Sequence, residues 1–273
     1  MRKTAAGFSS AFPIVAGTIV LLLVTGYLWG FQTMIWWEYR HGFEKKAPIL
    51  NLTPRGLPNT SASSSEGMEL SHAGVEFQVP WTDLDKEKSK IIGNAEIFMF
   101  RSGRVLTIFG PNSPREGLLL TIEKQMGDQD HHNLRKLFGP EATGTDYAFR
   151  KTLLEETPAS LRPWMSQREA YRSSFLLMFK AISSVGGETG LFSVQANGWK
   201  GFQFDDPANT RRIVTLELYD SADRHIEIIF DRKQNSGMDI MQADVNRVLE
   251  TLKTLDSPLA PEAIKPAGLK IHD

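Results

Sequence analysis

The chain contains no cysteine. That excludes a disulfide scaffold, a thiolate zinc site, an iron–sulfur cluster and a cysteine nucleophile. It also lacks an excess of either charge. Its 31 Lys and Arg residues face 32 Asp and Glu, a formal net charge of −1. A nucleic-acid-binding domain normally carries a basic surplus, so no nucleic-acid partner is expected. Gly-x-Ser-x-Gly is absent, which removes the nucleophile elbow. No phosphate loop or dinucleotide fingerprint is present either; Ser184–Gly190 has glycines but lacks the lysine and the strand–loop–helix order. No cofactor is expected on these grounds.

One local absence is the most informative. From Thr4 to Trp37 there is no charged side chain. A helix crosses a hydrocarbon layer about 30 Å thick with about 20 apolar residues. The run Phe12–Phe31 meets that length, and a helix satisfies its own backbone polar groups in lipid. Pro13 sits near the start, where a missing N–H costs least. Tyr27, Trp29, Trp36, Trp37 and Tyr39 crowd the far end, as side chains of an interfacial belt do. The apolar run is too long for a secretory h-region, and Gly26–Gly30 is too bulky for a cleavage site. Residues 12–37 are therefore expected to anchor the chain in a lipid bilayer as a single-pass transmembrane helix. Residues 1–11 form a short basic tail. Arg2 and Lys3 lie on one side of the anchor, and Arg40, Lys45, Lys46 and Arg55 on the other, so flanking charge leaves the orientation open. A basic N-tail before a first hydrophobic segment resembles a signal anchor, which favours an extracytoplasmic domain.

Residues 38–73 are expected to be a juxtamembrane segment and disordered linker, since Pro, Ser and Thr dominate without periodicity. A globular domain is expected over 74–256. Val75, Phe77 and Val79 alternate with polar residues, a half-buried strand ended by Pro80. Residues 95–100 and 104–110 flank Ser102-Gly103 as a hairpin. Leu118–Ile122 reads as a strand or a helix start. The middle is helical: 131–139, 146–156 and 167–184, with Thr157 as a cap before Pro158. Strands return at 190–196 and 199–204 around Asn197-Gly198, the strongest short hairpin signal. Further strands are expected at 213–219 and 225–230, then an amphipathic helix over Met238–Leu255. Residues 257–273 are a Pro-containing tail expected to be disordered. The expected class is α+β: an antiparallel sheet flanked by helices, preceded by the transmembrane helix.

The step Phe77-Gln78-Val79-Pro80, the central antiparallel strands and the closing helix over Met238–Leu255 resemble PsbP-like α/β/α sandwich domains across residues 74–255. The helical insert at 131–184 departs from that pattern. The resemblance implies a non-enzymatic assembly or accessory role.

Two groups of side chains are candidates for chemistry or binding. Asp128, Asp130, His131 and His132 are the densest set of metal-capable groups. Adjacent histidines diverge on a helix, so a charged helix N-terminus explains them as well. Trp81, Trp164, Trp199 and Phe202 are candidate interaction aromatics, with core packing as the competing explanation. The expected function is a membrane-anchored, non-catalytic binding or accessory domain, with a membrane or envelope protein as partner. A membrane-anchored enzyme, metal-dependent through the Asp/His cluster, and a small-molecule sensor are the alternatives.

Overall fold

The computed structural model describes residues 26, 29–43, 47–57, 67–72, 74–110, 135–184, 189–208, 213–232 and 239–255. Residues 12–25, 27 and 28 of the expected anchor lie outside the described residues, as do 1–11, 58–66, 111–134 and 256–273. Among the described residues no helix is long and apolar enough to cross a membrane. The fold is mixed α/β, with one large sheet.

The chain divides into two compact units where the sequence suggests one domain over 74–256. Unit 1 comprises Met1–Pro54 and Leu118–Glu188; unit 2 comprises Arg55–Gly117 and Thr189–Asp273. The reason is topological. The helical insert buries its apolar stripes within itself and against residues 29–54, while strands on either side of it pair with one another.

In unit 1, residues 29–38 are helical and run into a single π turn at Tyr39–Phe43. A 3₁₀ turn spans Pro48–Asn51. After helical residues 135–138 come α1 (Pro140–Thr143), α2 (Asp146–Glu155) and α3 (Gln167–Ser183). Thr145 caps α2 by accepting from the Ala148 N–H at 3.0 Å. Ser166 and Glu169 form a reciprocal capping box at the start of α3. The expected Thr157 cap makes no side-chain hydrogen bond; Pro158–Ser160 is a 3₁₀ turn too short to need one. Ala170 and Leu177 of α3 pack with Ile35, Leu50 and Leu161. Phe138, Phe149, Phe175 and Phe179 form a second aromatic group, with centroids 4.3–5.6 Å apart between successive rings.

Unit 2 holds β1 (Arg55–Gly56), β2 (Met68–His72), β3 (Val75–Val79), β4 (Lys90–Ile92), β5 (Ala95–Met99), β6 (Arg104–Phe109), β7 (Leu191–Ala196), β8 (Trp199–Phe204), β9 (Val214–Tyr219), β10 (His225–Arg232), α4 (Gln242–Thr251) and β11 (Lys253–Thr254). The eight-stranded sheet runs β1-β7-β8-β9-β10-β6-β5-β4. Its pairs are antiparallel except β1 with β7. The junction is β10 with β6, in register Phe230↔Leu106, which joins the early hairpin to the later meander. Alternation does the sorting: Leu106, Ile108, Leu216, Ile226 and Ile228 fall on one face, where Val245, Val248 and Leu249 of α4 join the same core.

Three expectations change here. The strand Val75–Val79 exists, but it belongs to a separate three-stranded sheet, β11-β3-β2. The closing helix is shorter than Met238–Leu255, because Lys253 and Thr254 pair with Glu76 and Val75 instead of continuing it. The segment 38–73 is not a uniform linker: Ile49, Leu50 and Leu70 are buried and β2 pairs with β3. Three apolar side chains find burial there through distant partners that no local period announces.

Candidate functional site

The candidate aromatics separate by burial. Trp81 packs edge-on against Phe100 and Phe230, at 5.0 and 6.3 Å, and is buried. Trp199 and Phe202 are buried on β8. These three are core side chains and present no surface to a partner; Trp199 and Phe202 point to opposite faces of β8, and both faces of that strand are covered. Trp164 is 69% exposed. Asp128, Asp130, His131 and His132 lie outside the described residues. Among the described residues no group of three or more His, Asp or Glu could hold a metal ion.

A concavity in unit 1 follows α3. The helix carries two adjacent stripes. Ala170, Leu177 and Ala181, spaced seven and four residues apart, pack with the helical stretch 29–39. Tyr171, Met178 and Ile182, one position further on, share the next stripe and are exposed, Ile182 by 70%. Along Tyr171 and Met178 of this second stripe runs a cavity of about 650 Å³, walled also by Tyr39, Leu137, Ser174 and Phe175. Its polar end is formed by Gln167 and Arg168 in the first turn of α3. Tyr39 closes the opposite wall by donating its hydroxyl to the Ser174 carbonyl at 2.9 Å, and burial pushes its phenol up. Phe31 lies 4.6 Å from Tyr171 between ring centroids. On the same helical stretch Trp29, Met34 and Trp37 are exposed.

What holds α3 in place is a buried cation. Lys180 is fully buried, and its ammonium donates to the carbonyls of Leu52, Leu154 and Glu156 at 2.6–2.7 Å. Burial pulls this lysine down to about 7 from its usual 10.5. One turn on, Arg150 donates to Ser183 Oγ at 2.6 Å. With every ammonium proton on a backbone carbonyl, Lys180 is a brace for the groove wall and not a nucleophile.

Unit 2 offers a different arrangement. Register sets Glu217 of β9 directly opposite Glu227 of β10, with His225 opposite Tyr219 two positions along the same face. The Tyr219 and His225 rings are 4.9 Å apart. Paired carboxylates beside an imidazole can exchange protons, but Glu227 and Tyr219 are buried within the fold.

Sequence reasoning finds α3 and its apolar character but misses the groove. The available signal is that 171–183 is apolar on more than one face, which a helix with a single packing partner does not need. No protein-family model, no curated protein and no solved structure matches this chain. None of these comparisons bears on the PsbP-like resemblance.

Proposed function

We propose that this chain is a membrane-tethered, non-catalytic binding or accessory domain that works at a bilayer surface. The observation that carries the reading is the exposed apolar surface of unit 1: Trp29, Met34 and Trp37 on one helical stretch, Tyr171, Met178 and Ile182 on α3. Large apolar side chains left exposed on two helices of one unit mark a candidate interaction surface. The uncharged run from Thr4 to Trp37 leads directly into it. A tryptophan-rich end of such a run suits the headgroup layer, so this surface is read as lying against lipid or a membrane-embedded partner. The short basic N-tail favours an extracytoplasmic domain.

The test is co-purification of the full chain in mild detergent from carbonate-washed membranes. A stable partner recovered with the wild type and lost with Trp37→Lys supports the reading. A chain released by carbonate, or recovered alone in every detergent, argues against it.

A further inference from the structure

We propose that the groove along α3 holds one acyl chain of an anionic phospholipid, with the headgroup phosphate at Arg168 and Lys136. This rests on the membrane-tethered reading. The groove's long walls are apolar, from Leu137 and Tyr171 to Phe175 and Met178, and its volume of about 650 Å³ lies within the range of small-molecule sites. Its one charged end matches an amphiphile: apolar along its length, cationic at its mouth.

Charge at that mouth is organised. Arg168 donates one amino group to the Lys136 backbone carbonyl at 2.5 Å, which ties the guanidinium to the helical turn that carries the exposed Lys136. Among the described residues neither Arg168 nor Lys136 forms an ion pair. Glu169, the nearest carboxylate along the chain, is turned away; it accepts from the Ser166 N–H and hydroxyl at 2.9 and 2.8 Å. The remaining guanidinium donors suit a phosphate, which guanidinium binds through paired hydrogen bonds. Trp29, Met34 and Trp37, on the helical stretch whose Phe31 and Ile35 pack in one core with Leu177 of α3, add exposed apolar side chains to the same unit.

The experiment uses the full chain reconstituted into phosphatidylcholine vesicles that carry phosphatidylglycerol with a photoactivatable diazirine on one acyl chain. Mass spectrometry maps the labelled residues. Label on 167–183 is expected. Met178→Lys puts a charge into the apolar wall and should cut that label at least about tenfold. Arg168→Glu should reduce labelling to the level of a phosphatidylcholine diazirine probe. Both positions are exposed, so both variants are expected to fold; if Met178→Lys does not, Arg168→Glu decides alone. Label confined to 12–37, label unchanged in the variants, or a second copy or other polypeptide shielding α3 overturns the proposal. Carbonate washing of the same vesicles separates the two ideas. A chain retained with α3 unlabelled overturns the groove alone; a chain stripped off overturns the tethered reading and the groove with it.

Discussion

Lys180 Nζ donates to the Leu154 carbonyl oxygen at 2.7 Å, from a side chain with no solvent exposure. Glu156 and Leu52 take the other two protons. Two of these acceptors lie at the C-terminal end of α2, where carbonyls lack helical partners and a cation is favoured. The third draws the segment around Leu52 onto α3.

Lys180→Met should therefore destabilise unit 1. It strands three carbonyls, each costing about 1–3 kcal/mol when buried unpaired, and relieves one buried charge. A net loss of about 3 kcal/mol at pH 7 is expected from these opposing effects. Pulse proteolysis in urea measures it; a variant as stable as wild type would remove the brace.

The same residue predicts a pH dependence. Its folded value of about 7 lies below the ordinary 10.5, so between the two the unfolded chain holds a proton that the folded chain has released. Unfolding then takes up a proton, and unfolding free energy rises with pH across that window, by up to about 1.4 kcal/mol per unit. The cost of the buried charge is fully present below pH 7. Urea midpoints at pH 7 and 9 should rise for wild type relative to Lys180→Met. A relative fall contradicts the sign.

Gly201→Ala should be among the most damaging single changes in unit 2. A Cβ there would run into the Glu217 carbonyl oxygen and lie 2.9 Å from Leu218 Cα, both backbone of the neighbouring strand. Backbone cannot swing aside as a side chain can, so a loss of about 3 kcal/mol or more is expected. Thermal unfolding of the variant checks it, and an unchanged midpoint would mean that β8 and β9 are further apart than the register implies.

Asn197 has two tasks that substitution can separate. It takes φ 50° in the turn with Gly198 at φ 82°. Its amide also donates to the Leu249 and Glu250 carbonyls at 3.3 and 2.5 Å, capping α4. Asn197→Gly keeps the turn and loses the cap, at about 1 kcal/mol; Gly198→Ala strains the turn at about 1–2 kcal/mol. Amide exchange distinguishes them: the glycine variant should free the end of α4 and leave β7–β8 protected.

The tryptophans provide a contrast between core and surface. Trp199→Ala should cost about 3–5 kcal/mol, as removal of a buried aromatic does. Trp164→Ala should change stability by less than about 0.5 kcal/mol. Equal effects on the melting midpoint would contradict their opposite exposures.

Local chemistry made much of this fold readable. Asn197-Gly198 announces its hairpin because few residues accept two positive φ angles in succession. Ser166 and Glu169 mark the start of α3, and alternation marks β3, β9 and β10. The Trp81, Trp199 and Phe202 rings could not be sorted from Trp164 in the same way. An aromatic has the same composition inside and outside, and only the neighbouring layer decides its exposure. Leu50 and Leu70 were likewise hidden, because the segment around them has no period of its own.

By itself, then, the sequence determined the local elements, the missing thiol chemistry, the balanced charge and the long uncharged run near the N-terminus. These follow from short-range sterics, turn chemistry and composition. Only the tertiary structure decided that β6 meets β10, that Lys180 is a buried brace and that α3 has a second apolar stripe lining a groove. Each of these depends on residues far apart in the chain, as the 128 positions between Leu52 and Lys180 show. Burial and pairing at such separations are set by how the elements pack, and a local pattern does not encode that.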